Sequence, residues 1–235
     1  MSIIVKKLSK RYLSADGTET VVFEDFSAEF QDGKVTAVLG PSGVGKSTLL
    51  NCIGGLTSFG GEIVGAGEVA YVFQDDRLIP HKTVYGNIEF TLPEKSKEEK
   101  ASRIKSVLEM VEMTDKASAF PEELSGGQKK RVSLARAFAS KKDVILLDEP
   151  FSSLDLALKS RITADFTTML EREPKTVIFV THDVDEALTL ADEILVLNDG
   201  RISFKISVEE PRKGRDITGK HINEVRKKLY EAILV

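Results

Sequence analysis

One glycine-rich segment carries the residue types that bind phosphate groups. It fits the pattern G-x-x-x-x-G-K-[ST] without a mismatch. Its residues are Gly40, Pro41, Ser42, Gly43, Val44, Gly45, Lys46 and Ser47, and Thr48 adjoins them. Glycines let the backbone turn tightly around an anion, so that successive N–H groups can point at one phosphate. The Lys46 ammonium would then lie between the β- and γ-phosphates of ATP, and the Ser47 hydroxyl is left to bind Mg²⁺.

A pair of acids follows four apolar residues in the second half of the chain. Residues 144–147 read as a parallel strand that is covered on both faces, and Asp148 and Glu149 come directly after it. Ligands of α/β sheets bind beyond the carboxyl ends of such strands. We therefore expect Asp148 to hold Mg²⁺ through water. Neighbouring strand side chains point to opposite faces, so Glu149 is assigned to orienting and partly deprotonating an attacking water. The alternative is a solvated acidic strand end.

A second glycine turn, formed by Ser125, Gly126 and Gly127, opens a helix over residues 128–138. The start of a helix attracts anions, because its first N–H groups have no partner within the helix. The first glycine loop already serves the α- and β-phosphates, so this second helix start suits a γ-phosphate, which can belong to another molecule. The alternative is a plain N-cap by Ser125 with two turn glycines.

The elements that must position these residues alternate between strand and helix. Buried strands are expected at 35–39, 144–147 and 176–181, as a parallel sheet with crossover helices requires. An N-terminal strand segment alternates at Val21, Phe23, Phe26 and Phe30. The middle of the chain is helix-rich, with a charged loop at 93–100. A strand is predicted at 201–206. Apolar stripes predict two helices, one with Ile104, Val107, Leu108 and Val111 and one with Ile222, Val225, Leu229 and Ile233.

Composition agrees with one large core. The chain has 235 residues, 41% of them hydrophobic, and its formal charge of −4 argues against a dedicated nucleic-acid partner. The single cysteine, Cys52, excludes an internal disulfide, suits a reducing compartment and is assigned no chemistry. We expect no signal peptide and no membrane span.

These motifs, in this order, resemble the ATP-binding subunit of an ATP-binding-cassette (ABC) transporter. The string from Leu124 to Gln128 reads LSGGQ, the signature motif of that family. The resemblance implies a P-loop NTPase core with a mostly parallel sheet, an N-terminal antiparallel β subdomain and a helical signature subdomain. Residues 1–235 would form one domain. The core with its β subdomain would occupy 1–74 and 141–235, and the helical subdomain 75–140.

The same resemblance assigns four further residues. Gln74 matches the Q-loop glutamine, which touches Mg²⁺ and water, and His182 matches the switch histidine, which hydrogen-bonds the γ-phosphate. Asp155, in Ser153-Leu154-Asp155, matches the D-loop between subunits, and Tyr12 matches the aromatic that stacks on adenine. The alternatives are a surface glutamine, a structural histidine, an N-cap aspartate and a tyrosine at the edge of the core.

The resemblance also implies partners and a mechanism. Two copies would meet head to tail and enclose two ATP molecules, with each glycine loop facing the other copy's Ser125-Gly126-Gly127. The homodimer would lie at the cytoplasmic face of the cell membrane as a peripheral subunit. It would contact a transmembrane permease and, through the permease, an extracytoplasmic solute-binding protein. ATP binding would close the dimer and hydrolysis would release it.

Segments 72–80, 150–155 and 182–187 resemble importers of nitrate, sulfonate, taurine and thiamine precursors. The stretch 57–71 is shorter than usual, which predicts a trimmed β-hairpin, and His81-Lys82 replace an aromatic. Two alternatives stay open, an exporter or lipid-extraction ATPase and a soluble ABC ATPase outside transport. A catalytically silent regulatory subunit is disfavoured, because the chain has all four of the catalytic residues Lys46, Asp148, Glu149 and His182.

Overall fold

Two β-sheets carry the fold. The computed structural model describes residues 1–92, 96–152 and 154–234. Its strands are β1 (Ile3–Leu13), β2 (Glu19–Phe30), β3 (Val35–Leu39), β4 (Gly60–Val64), β5 (Val69–Val72), β6 (Val144–Asp148), β7 (Thr176–Thr181), β8 (Glu193–Asn198) and β9 (Arg201–Ser207). Strands β2, β1 and β4 form an antiparallel sheet, and the second sheet has the order β5-β6-β7-β3-β8-β9. The second sheet is parallel except for β9, which pairs with β8 in the antiparallel direction.

The central strands β3, β6 and β7 are mostly apolar and buried along their whole length, because both faces of this sheet are covered. Their register places the carboxyl ends of three neighbouring strands together: Leu39 pairs with Thr181, and Asp148 with Val180. The chain therefore leaves β3, β6 and β7 at one edge of the sheet. The predicted α/β fold with a mostly parallel sheet and an N-terminal antiparallel sheet is confirmed.

Helices cover the sheet and fill the middle of the chain. They are α1 (Lys46–Ile53), α2 (Val84–Glu89), α3 (Lys97–Met110), α4 (Gly126–Ala139), α5 (Leu156–Arg172), α6 (Val184–Leu190) and α7 (Lys220–Ile233). Helices α2, α3 and α4 pack on one another, and the predicted stripe on α3 is buried. Ser96 caps α3 in a capping box with Glu99, whereas residues 93–95 of the predicted charged loop lie outside the described residues. Among the described residues, every helix is too short or too polar to cross a lipid bilayer.

Two local predictions need correction. The alternation expected in β2 breaks at Asp25, whose φ of +52° leads to burial of both Phe23 and Phe26, while Val21 is exposed. The stretch 57–71 forms no hairpin of its own, because β4 pairs with β1 and β5 pairs with β6. The two short strands thus belong to different sheets, and this segment links the antiparallel sheet to the parallel one.

Candidate nucleotide-binding site

The glycine loop follows β3 and is packed too closely for side chains at two of its glycines. A Cβ on Gly40 would lie 2.4 Å from the Leu197 carbonyl oxygen. Gly45 has a φ of +107°, and a Cβ there would lie 2.6 Å from Val22 Cγ1. Gly45 is also the residue before α1, so no side chain caps this helix. The first N–H groups of α1 therefore face the loop and can bind an anion.

Replacing Gly45 by alanine is expected to destabilise the fold more than the same change at Gly43. Both glycines have positive φ, which costs about 1–2 kcal/mol for an L-residue. Only the Gly45 Cβ meets a neighbour, and such overpacking adds about 1–3 kcal/mol. Thermal unfolding of the two variants measures the difference. Equal losses of stability would contradict the close packing of β2 against the loop.

The Lys46 side chain lies inside the loop and is 6% exposed. Its ammonium donates hydrogen bonds to the carbonyl oxygens of Gly40 and Pro41, both at 2.8 Å. Burial lowers the pKa of Lys46, and the nearby Glu149 and Asp148 carboxylates oppose this shift. An ammonium has three N–H donors, so one is left for a phosphate oxygen. The loop's own backbone thus holds the cation in place for an anion.

Asp148 and Ser47 bring two oxygen donors together below the loop. Ser47 Oγ donates a hydrogen bond to Asp148 Oδ1 at 2.9 Å, and Asp148 is 5% exposed. Burial raises the pKa of Asp148, as does neighbouring Glu149, whereas the Ser47 bond lowers it. Hydroxyl and carboxylate oxygens are the donors that Mg²⁺ prefers. The chemistry of this donor pair therefore fits a magnesium ion.

Glu149 leaves the strand in a backbone conformation that the sequence did not indicate. Its φ of +43° lies in the left-handed region, which is uncommon outside glycine, asparagine and aspartate. The Glu149 N–H donates to the Val180 carbonyl oxygen at 3.1 Å, which fixes this turn to β7. The carboxylates of Asp148 and Glu149 therefore point in different directions because of this local turn, and not because of strand alternation as predicted. Such strain at a functional residue is held by the surrounding structure.

His182 lies beside Glu149 at the end of β7. His182 Nδ1 is 3.2 Å from Glu149 Oε1, and the imidazole is 60% exposed, against 19% for the Glu149 side chain. When Nδ1 carries a proton, the imidazole donates this bond. The strand register therefore joins two predicted site residues that are far apart in the sequence.

An open cleft of about 380 Å³ brings together nine of the predicted site residues. It is lined by Tyr12, Val22, Ser42, Gly43, Gly45, Lys46, Ser47, Thr48, Gln74 and Glu149. Tyr12 is 42% exposed and carries the Lys10 ammonium 4.6 Å from its ring centroid. The sequence interpretation missed Val22 and Lys10, because neither belongs to a motif. The one available signal was their place in the sequence, since Lys10 lies two residues before Tyr12 and Val22 directly precedes Phe23.

The signature residues lie outside this lining. Ser125 Oγ accepts a hydrogen bond from the Gln128 N–H at 3.3 Å, and the Ser125 N–H donates to Gln128 Oε1 at 2.9 Å. This is a capping box at the start of α4, and it gives Gln128 a structural role. Gly126 and Gly127 form the first turn of α4. An anion-binding role for Ser125, Gly126, Gly127 and Gln128 stays a prediction.

Asp155 caps the helix that follows the acid pair. Asp155 Oδ1 accepts a hydrogen bond from the Leu158 N–H at 3.0 Å, so Asp155 is the N-cap of α5 within one protomer. Ser153, the first residue of the predicted D-loop, lies outside the described residues. The intersubunit role of Asp155 stays a prediction.

A cleft of this kind holds a nucleoside triphosphate against a buried lysine and an acid pair, and together with its sheet it defines a P-loop ATPase. Residues 23–152 match the ABC transporter family. The chain belongs to this family, and the resemblance stated from its motifs is confirmed, as is the prediction of an ATP-hydrolysing cassette.

Two curated relatives show the extent of the similarity. The chain is 42% identical over 197 residues to the aliphatic sulfonates import ATP-binding protein SsuB of Delftia acidovorans, covering 82% of the chain and 80% of the relative. It is 37% identical over 228 residues to the sulfate/thiosulfate import ATP-binding protein CysA of Synechocystis sp., covering 89% of the chain and 62% of the relative.

Two solved structures share the fold. One is the dimeric structure of MJ0796, a bacterial ABC transporter cassette, with a TM-score of 0.81 and 30% identity over 88% of this chain and 99% of that chain. The other is MJ0796 in a dimeric post-hydrolysis state bound to ADP and Pi, with the same TM-score and coverage.

Proposed function

We propose that this cassette couples ATP hydrolysis to the import of a solute through a separate permease. The juxtaposition of Lys46, Ser47, Asp148, Glu149 and His182 at one edge of the sheet carries the catalytic part of the proposal. The relatives that are named as import proteins support the direction of transport. Because those relatives are named for different solutes, we propose import as the direction of transport and name no particular solute.

The residues of the cleft have distinct roles in this proposal. The loop N–H groups and Lys46 bind the phosphates of ATP, and Tyr12 stacks on the adenine. Ser47, Asp148 and Gln74 would hold Mg²⁺, which neutralises phosphate charge when it is bound. Glu149 orients the attacking water and accepts its proton, and His182 hydrogen-bonds the γ-phosphate. The short distance between His182 and Glu149 supports the last two roles, because both must face the same phosphate.

The dimer we propose is head to tail. The start of α4 is a helix N-terminus whose first turn contains two glycines, and its residues do not line the cleft of their own protomer. A γ-phosphate bound by the partner can supply the anion that this helix start attracts. ATP then binds the closed dimer better than the open one and shifts the population toward closure. The dimeric form of MJ0796 supports the dimer itself.

The permease would contact a groove beside the Gln74 segment. This groove, of about 420 Å³, is lined by Val69, Ala70, Tyr71, Ile79, Phe90, Thr91, Arg136, Ala137, Ser140 and Lys142. Phe90 is 64% exposed there. A large exposed aromatic beside apolar and basic side chains suits a helix of a partner protein.

Replacing Phe90 by alanine is expected to weaken assembly with the permease by about tenfold or more, since a buried aromatic anchor contributes about 2 kcal/mol. The isolated variant should fold and hydrolyse ATP normally, because Phe90 is exposed in the chain alone. Tyr230 on α7 is 49% exposed and provides the matched control, Tyr230→Ala. Co-purification of each variant with the permease measures the effect, and equal yields would argue against this groove.

Reconstitution tests the function as a whole. The chain is purified from membranes with its permease, placed in liposomes and supplied with ATP, Mg²⁺ and the extracytoplasmic solute-binding protein. Solute should move across the membrane from the side of the binding protein to the side of the cassette. ATPase activity should rise when the binding protein carries its solute. Release of the chain from membranes by a high-salt wash would support peripheral attachment. Movement of solute toward the outside would identify an exporter, and a chain without a permease partner would refute transport.

A further inference from the structure

Lys130 is a buried cation that links α4 to the segment after β5. Its side chain is almost completely enclosed, with 2% exposure. Lys130 Nζ donates hydrogen bonds to the carbonyl oxygens of Phe73 at 2.9 Å and Gln74 at 3.2 Å. Lys130 lies two residues after Gln128, so these bonds join the first turns of the signature helix to the backbone of Gln74.

A buried ammonium without hydrogen bonds is costly, so its partners define what it does. In the described parts of the chain, no carboxylate forms an ion pair with Lys130 within 4.0 Å. Burial lowers the pKa of Lys130, and the more distant carboxylates of Asp76, Asp148 and Glu149 oppose this shift. Main-chain carbonyl groups are therefore its direct partners. Bonds to carbonyl groups fix the position of a backbone, whereas an ion pair would fix a side chain.

A second cation of α4 holds the far end of the same segment. Arg136 Nη1 donates to the Arg77 carbonyl oxygen at 2.9 Å. Residues 73–77 are thus attached to one helix at both ends, by Lys130 and by Arg136. On this attached segment, the Gln74 side chain is exposed and lines the nucleotide cleft. The position of Gln74 in the cleft then depends on the position of α4.

We propose that Lys130 is a positioning residue, which holds the backbone at Gln74 so that its side chain reaches the nucleotide cleft only while α4 keeps its place. The inference rests on the proposed role of Gln74 as a ligand of Mg²⁺ and water. It adds a physical connection, within one protomer, between the helix that meets the partner's ATP and the residue that meets the protomer's own ATP. A rotation of α4 would move both together.

The test compares Lys130→Met with a matched control, Lys175→Met. Lys175 is also a buried lysine, 6% exposed, whose ammonium donates to a backbone carbonyl oxygen, that of Lys142 at 2.7 Å. It does not line the cleft. Lys130→Met should lower kcat by about 10- to 100-fold with little change in the KM for ATP, because a misplaced positioning group slows the chemical step. Lys175→Met should keep its kcat, even if it unfolds at a lower temperature.

A double-mutant cycle isolates the pathway through Gln74. Gln74→Ala alone should lower kcat, and adding Lys130→Met should lower it little further, because both changes remove one function. Lys130→Arg keeps the N–H donors and should restore most of the rate. Hydrogen exchange of residues 73–77 should become faster in Lys130→Met, with α1 unchanged. If Lys130→Met does not fold, Lys130→Gln, whose amide is too short to reach the carbonyl groups, takes its place in every measurement.

Additive losses in the cycle, an unchanged kcat, or an equal loss in Lys175→Met would overturn the inference. So would a Lys130→Arg variant that is as slow as Lys130→Met at equal stability. These results differ from a failure of the proposed function. That failure would show as a wild-type chain without Mg²⁺-dependent ATP hydrolysis, or as Gln74→Ala with the full wild-type rate.

Discussion

Replacing Glu149 by glutamine is expected to leave ATP binding intact and to lower hydrolysis by about 10²- to 10⁴-fold. In the proposed mechanism, binding depends on the glycine loop and Lys46, whereas hydrolysis needs a carboxylate that can accept a proton from water. The bond to His182 and the bond to Val180 through the backbone can both persist in the glutamine variant. The variant should therefore accumulate as a dimer that holds ATP.

Size-exclusion chromatography with ATP and Mg²⁺ measures this trapped dimer. The matched control is Glu193→Gln, which changes a buried acid at the opposite end of a parallel strand, where Glu193 pairs with Lys205 at 2.8 Å. The control should elute and hydrolyse ATP as the wild type does. A Glu149→Gln monomer at saturating nucleotide would contradict the dimer mechanism, and an unchanged rate of hydrolysis would contradict the assignment of the base.

Replacing Lys46 by alanine should weaken ATP binding by about 10- to 100-fold. A hydrogen bond to a charged group contributes about 1.5–3 kcal/mol, and each 1.4 kcal/mol is about a tenfold change in Kd. The change also leaves the carbonyl oxygens of Gly40 and Pro41 without their shared donor, so the loop loses its internal support.

Titration with a fluorescent ATP analogue measures the loss of affinity. Lys175→Ala removes a lysine of similar burial outside the cleft and should bind the analogue as tightly as the wild type. Lys46→Ala with undiminished affinity would remove the phosphate-loop assignment. Thermal unfolding of both variants without nucleotide separates a weaker site from a weaker fold.

The sequence predicted those parts of the site that follow from strand periodicity. Buried runs before Gly40, Asp148 and His182 placed all three at strand ends, and the parallel register of β3, β6 and β7 then brought them together. Parallel sheets make such predictions possible, because the side chains that follow each strand share one edge. The roles assigned to Gln74, His182 and Tyr12 came from family resemblance and stay predictions. Tyr12 and Gln74 line the cleft, and His182 contacts Glu149.

Other features depend on long-range packing and could not be predicted. The left-handed backbone of Glu149 results from a hydrogen bond to β7, and the place of Val22 results from contact with Gly45. Lys130 lies on a helix that reads as amphipathic, where a lysine is normally exposed. Its burial follows from the approach of the Gln74 segment, which no local pattern encodes.

The capping box of α4 has a consequence for the speed of assembly. Ser125 Oγ uses a lone pair to accept the Gln128 N–H, so its hydroxyl proton remains free to donate to an oxygen of an arriving phosphate. The capping box thus forms within one protomer, without a second copy. In the dimer proposed above, two ATP-loaded protomers would need no folding step at this helix start, so we expect their association to be limited by how often they collide in the correct orientation.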